Sequence, residues 1–157
     1  MVSLTPGETA PAFTLPDQHD TPVSLSSFGP GRVIVYFYPA ALTPACTVEA
    51  VDFTTHLAEF TARGIRIVGI SPDPVDTLAA FTAKNDLAIT LLSDPQRQVI
   101  DAYGAWGTKT LYGKQVEGII RSTFLVDVAV DGTATVEQAE YNVRATGHVE
   151  RLLKHLG

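Results

Sequence analysis

Two apolar runs constrain this chain more than anything else in it. "RVIVYFYP" (residues 32–39) and "IRIVGIS" (65–71) are β-branched and aromatic, of strand length, and apolar at consecutive positions. A strand of that kind needs cover on both faces. Between the two runs lies one helix-length segment. Thr43 then Pro44 gives an N-cap hydroxyl followed by proline at the first helical position. From Cys46 onward, Ala50, Phe53, Leu57 and Phe60 recur at helical spacing to about Ala62, and Gly64 is the expected stop. Strand, helix and strand, with both strands buried, set up a layered α/β molecule.

The rest of the chain extends the pattern. "PVDTLAAFTAKNDL" reads as a second helix opened by Pro74, "ITLLSD" as a short strand, and "PQRQVIDAYGA" as a short helix ending near Gly104. "GIIRSTFLVDV" reads as one strand, and "TATVEQAEY" returns antiparallel to it after a turn at Asp131-Gly132. "GHVERLLKHLG" closes the chain as an amphipathic helix. Upstream, "LTPGETAPAF" is an irregular lead-in, and "AFTLPDQHDTPVSLSSF" holds two short strands around a polar bend at Asp17 to Thr21. The expectation is an α/β fold with a mixed central β-sheet flanked by helices and an N-terminal β-hairpin extension. The β-α-β then β-β-α order is thioredoxin-like, with one extra strand and helix inserted.

No repeat, low-complexity tract or linker divides the 157 residues, so residues 1–157 read as a single domain. The formal charge is -6 and no basic run occurs, which argues against nucleic acid as a partner. No apolar stretch approaches a membrane span. The opening "MVSLTPGETAPAF" lacks the charged start and apolar centre of a signal peptide, so a cytoplasmic location is expected. His19, His56, His148 and His155 are scattered without metal-ligand spacing. "GPGR" lacks the lysine and hydroxyl residue of a phosphate loop, so neither metal nor cofactor is expected.

The chain has one cysteine, Cys46, which excludes an internal disulfide. With Thr43 as N-cap, Cys46 takes the third helical position, near unpaired backbone N–H groups and the positive end of the helix dipole. That setting favours a thiolate, the nucleophilic form, over a thiol of ordinary pKa ~8.5. A cation nearby would add to it, but "AALTPAC" supplies none. Free cysteine is also among the most buried residue types and often only packs. The residues alone leave both readings open.

"YFYPAALTPACTVEAVDF" resembles the active-site segment of peroxiredoxins, the alkyl hydroperoxide reductase and thiol-specific antioxidant superfamily, in its Pro-x-x-x-Thr-x-x-Cys pattern. Within it the chain is most similar to the bacterioferritin comigratory protein subfamily, where "TPAC" stands for the usual Thr-Pro-Gly-Cys. "DAYGAWGTKTLYGKQVEGIIRSTFLVD" resembles that subfamily's second signature, and "NVRATGHVERLL" its C-terminal helix entry. The resemblance implies a thiol-dependent peroxidase. Cys46 would be the peroxidatic cysteine, and Thr43 would hydrogen-bond the peroxide oxygens. Pro39 would wall the site from water, and Arg121 would neutralise the thiolate and polarise the O–O bond. That arginine would be the missing cation, carried by a strand beside the start of the first helix. Glu49 matches a glutamate of the same polar network, or is an exposed helix residue. Tyr38 lines the pocket or packs; Trp106 matches an aromatic near the pocket, or packs in the core or a loop.

The chain departs from the subfamily in one respect. Many members carry a resolving cysteine five residues after the first, or one in the next helix; here Val51 holds that place and "VDTLAAFTAKNDL" has none. The expectation is therefore a one-cysteine mechanism. Hydrogen peroxide or an organic hydroperoxide oxidises Cys46 to sulfenic acid. An external thiol then reduces it: thioredoxin, glutaredoxin or a small thiol. Ala45 and the apolar "AAL" at the mouth favour organic hydroperoxides. A peroxide sensor that relays oxidation to a partner is the alternative. The chain would be a monomer or weak homodimer.

Overall fold

The structure is a computed structural model that describes residues 3–156. Gly157, the end of the expected last helix, lies outside the described residues. The chain runs β1 (Thr14–Pro16), β2 (Pro22–Ser24), a 3-10 turn (Leu25–Phe28), β3 (Gly31–Phe37), α1 (Pro44–Thr55), α2 (Leu57–Ala62) and β4 (Ile65–Ser71). It continues α3 (Val75–Asn85), β5 (Thr90–Ser93), α4 (Gln98–Ala102), β6 (Trp106–Leu111), β7 (Lys114–Ile119), β8 (Ser122–Val128), β9 (Ala134–Glu140) and α5 (His148–Leu156).

The central sheet has the order β5-β4-β3-β8-β9. β3, β4 and β5 are parallel neighbours, while β8 runs antiparallel to both β3 and β9. This is the expected mixed sheet. β3 lies at its centre, and Val33 to Tyr38 are all buried. Its side chains alternate between two cores, as a strand's period of two requires. Val33, Val35 and Phe37 join Val68, Ile70, Tyr103 and Phe124 on one face. Ile34, Tyr36 and Tyr38 join Cys46, Phe53, Phe60, Phe81 and Val149 on the other. The N-terminal hairpin and α4 cover the first face; α1, α2, α3 and α5 cover the second.

Several sequence expectations need correction. The helix expected to run from Pro44 to about Ala62 is two helices broken at His56 (φ -99, ψ 9). The β-branched pair Thr54-Thr55 precedes the break, with the Thr55 hydroxyl donating back to the Val51 carbonyl. Such residues are stiff and compete with the helical ladder. The apolar stripe still keeps one face, because both helices pack on the same core. The helix expected from Pro95 starts only at Gln98. The buried Asp94 carboxylate accepts the N–H groups of Gln98, Val99 and Ile100, which fixes the start there. "GIIRSTFLVDV" is not one strand: β7 ends at Ile119 and β8 begins at Ser122. A hairpin, β6–β7, precedes it and was not expected from the sequence.

Candidate active site

Cys46 sits at the third position of α1, with Thr43 as N-cap and Pro44 first in the helix. It is 2% exposed and belongs to the core cluster of Tyr36, Tyr38 and Phe53. The helix starts at the carboxyl end of β3, where parallel α/β sheets gather their chemistry because the strand ends open into loops there. Pro39, half-buried, directly follows Tyr38 at that strand end.

A cation reaches the sulfur from far along the chain. Arg121 Nη2 donates to Cys46 Sγ at 3.4 Å, and Arg121 Nη1 donates to Glu49 Oε1 at 2.6 Å. One guanidinium thus spans the cysteine and the glutamate one helical turn on, a fork that a lysine cannot reproduce. Arg121 occupies the two-residue joint between β7 and β8, not the strand expected for it. The Val143 N–H donates to its carbonyl at 2.8 Å, tying the joint to the segment before α5. Burial alone would lower the Arg121 pKa, but Glu49 and Cys46 more than offset it and hold the guanidinium above its ordinary value. It is a cation at every working pH.

Glu49 is wholly buried rather than exposed, and its Oε2 has no hydrogen-bond partner among the described residues. Burial pushes its carboxyl up to about 7, against the opposing pull of Arg121. Two further buried oxygens, the hydroxyls of Tyr36 and Tyr38, belong to the same side of the sheet and lack a hydrogen-bond partner among the described residues. Burial is also what raises both phenols above their usual range. Tyr36 stacks on Phe53 of α1 at 4.6 Å between ring centroids and lies 5.5 Å from the Tyr38 ring.

Thr43 is exposed, and its hydroxyl makes no cap hydrogen bond, contrary to the sequence expectation. It donates instead to the Ala40 carbonyl at 2.7 Å, which commits its proton and leaves its lone pairs free to accept a hydrogen bond. Between Pro39 and Thr43 the chain turns tightly, and Leu42 takes a left-handed conformation at φ 66. The Asp73 carboxylate holds this turn by accepting the Ala41 N–H at 2.7 Å. Asp73 went unnoticed in the sequence. The signal available was a Ser-Pro-Asp run at the carboxyl end of a buried parallel strand.

Trp106 stands apart from this group. It is half-buried at the start of β6, packs on the opposite core, and carries the Arg97 guanidinium 3.9 Å above its ring. Among the described residues no cluster of three or more His, Cys, Asp or Glu side chains could hold a metal ion. None of the described helices is long and apolar enough to cross a membrane.

A thioredoxin-like sheet with a lone thiol at the first turn of its central helix, faced by a guanidinium, defines a thiol-based redox protein. Comparison with known proteins narrows the class. Residues 6–131 match the AhpC/TSA family, and the chain belongs to it. A Mycobacterium tuberculosis protein named as a peroxiredoxin is 55% identical over 153 residues, covering 98% of this chain and 95% of its own length. Peroxiredoxin Bcp of Escherichia coli K12 is 40% identical over 156 residues, covering 99% and 97%. A solved structure of the Xanthomonas campestris bacterioferritin comigratory protein, described for its alkyl peroxide reduction activity, superposes with a TM-score of 0.82. It is 35% identical and covers 92% of this chain and 89% of that one. The chain is a peroxiredoxin of the bacterioferritin comigratory type with one cysteine, and its class is that of thiol-dependent peroxidases.

Proposed function

We propose that this chain reduces hydrogen peroxide and organic hydroperoxides at Cys46 by a one-cysteine cycle. The Cys46 thiolate attacks the terminal oxygen of the hydroperoxide. An S–O bond forms, the O–O bond breaks, and the leaving alkoxide or hydroxide takes up a proton. Cys46 is then a sulfenic acid. One external thiol displaces water from it to give a mixed disulfide, and a second thiol releases Cys46 reduced.

The observation that carries this reading is the Arg121 fork on Cys46 and Glu49. A fixed cation beside the attacking sulfur, and beside the oxygens where charge develops, lowers the barrier most when it needs no reorganisation. Thr43 would accept the O–H of the hydroperoxide, since its own proton is held by Ala40. Pro39 shields the sulfur from water, and Glu49 orients Arg121. Tyr38 closes the floor of the pocket. Each chain carries all of these residues, so the cycle asks for no second copy. The reductant is thioredoxin, glutaredoxin or a small thiol, and a reducing compartment such as the cytoplasm supplies such groups.

Purified protein with peroxide should consume a thiol reductant, and Cys46→Ser should abolish the consumption. Intact mass should show one added oxygen on Cys46, then a mixed disulfide with the reductant. Absence of turnover with small thiols, glutaredoxin and thioredoxin alike would overturn the proposal.

A further inference from the structure

We propose that Asp73 is a positioning residue for the reaction at Cys46, acting through the backbone of the Pro39–Leu42 turn. The inference rests on the peroxidase reading. Its observations are independent of Cys46 itself.

The turn carries the two ends of the site. Pro39 opens it, and the Ala40 carbonyl receives the Thr43 hydroxyl at 2.7 Å. Its middle residue, Ala41, is buried in the same cluster as Cys46 and Tyr38. A backbone N–H buried there needs a partner, and the Asp73 carboxylate supplies it at 2.7 Å. An N–H to a carboxylate is stronger and more directional than a neutral pair. Leu42, the next residue, sits at φ 66 without being glycine, a conformation that persists only where surrounding contacts impose it.

Asp73 is itself held firmly. The same carboxylate oxygen that serves Ala41 accepts the Ser71 hydroxyl at 2.7 Å. The Asp73 N–H donates back to that hydroxyl at 3.3 Å, and the Asp73 carbonyl accepts the Ser93 hydroxyl at 2.6 Å. Ser71 and Ser93 are buried and lie opposite each other at the ends of β4 and β5. The turn beside the sulfur is therefore referenced to two neighbouring strands rather than to its own short sequence. Movement of Ala40 would carry the Thr43 hydroxyl with it, while Arg121 and Cys46 stayed in place. Asp73 should thus govern how a hydroperoxide is oriented, and leave the thiol's own nucleophilicity alone.

The experiment compares two reactions of Cys46 in wild type, Asp73→Ala and Asp73→Asn. One is oxidation by cumene hydroperoxide; the other is alkylation by iodoacetamide, which needs no oriented oxygens. Asp73→Ala should slow oxidation by about tenfold to a hundredfold, the range that misorientation costs, and change alkylation less than about twofold. Asp73→Asn, whose amide oxygen can still accept one N–H, should recover most of the loss. Hydrogen exchange at the Ala41 amide should accelerate in Asp73→Ala, while the Leu91 amide, held by Gln18, stays as in wild type. Unchanged oxidation, or oxidation and alkylation falling together, would overturn the proposal. So would an Ala41 amide that exchanges no faster. If wild-type Cys46 reacts with the hydroperoxide no faster than free cysteine, the peroxidase reading falls; the Ala41 exchange still judges the clamp.

Discussion

Arg121 shows how much one side chain carries. It is 13% exposed and pairs with a Glu49 that is 0% exposed, so removing it strands a buried carboxylate. Arg121→Ala should cost about 3–5 kcal/mol of stability in urea unfolding. Arg121→Lys can reach Cys46 or Glu49 but not both, and should slow oxidation of Cys46 about tenfold to a hundredfold in stopped-flow measurements. Two buried groups also set opposing slopes of stability with pH. Burial raises the Glu49 carboxyl from 4.5 to about 7, so the folded state holds its proton longer, and stability is lost as pH rises through that window. Burial lowers His148 from 6.5 to about 4, with Arg151 and Arg121 adding to it. There the unfolded state binds the proton first, and stability is lost as pH falls from 6.5 toward 4. Between pH 4.5 and 6.5 the two offset each other. Glu49→Gln should unmask a rise with pH of roughly 3 kcal/mol relative to wild type, and His148→Asn a fall of similar size. The placement of Cys46 and Thr43 at a helix start was legible in the sequence because helix-start signals are local. Arg121 was legible only through the family pattern. Its partner lies 72 residues away for Glu49 and 75 for Cys46, and no local rule spans that separation.

At the scale of elements, β3 and β4 were readable because consecutive apolar residues leave a buried strand few alternatives. The β6–β7 hairpin was not readable. Its turn is Tyr112-Gly113, both at positive φ (52 and 76), where the recognisable signal is Asn-Gly or Asp-Gly. Its strands, "WGTKTL" and "KQVEGI", contain glycine and lysine and lack a clean alternation. That hairpin nonetheless delivers Arg121, since β7 ends two residues before it. The packing of β4 against β3 is tight at one point. A Cβ on Gly69 would lie 2.8–2.9 Å from the Tyr36 ring and hydroxyl. Gly69→Ala should therefore destabilise by about 1–3 kcal/mol, read from the denaturant midpoint, and displace the ring stacked on α1.

For the molecule as a whole, the sheet order and the two cores follow from the strand alternation, and the site lies where α1 leaves the central strand. What the sequence could not give was depth. Cys46 is 2% exposed while Val51, five residues on, is 36% exposed. In a regular helix those positions point to different sides, with Cα atoms roughly 8–9 Å apart. A disulfide spans at most about 7 Å. A Val51→Cys variant should therefore close its bridge only at the rate at which α1 opens, and mass spectrometry after peroxide should catch that lag. Peroxide treatment should leave the wild type with the circular dichroism of an intact helix. In the proposed one-cysteine cycle no helix has to open to bring a second sulfur of the same chain to the first, and the reductant instead has to reach a sulfur that is 2% exposed.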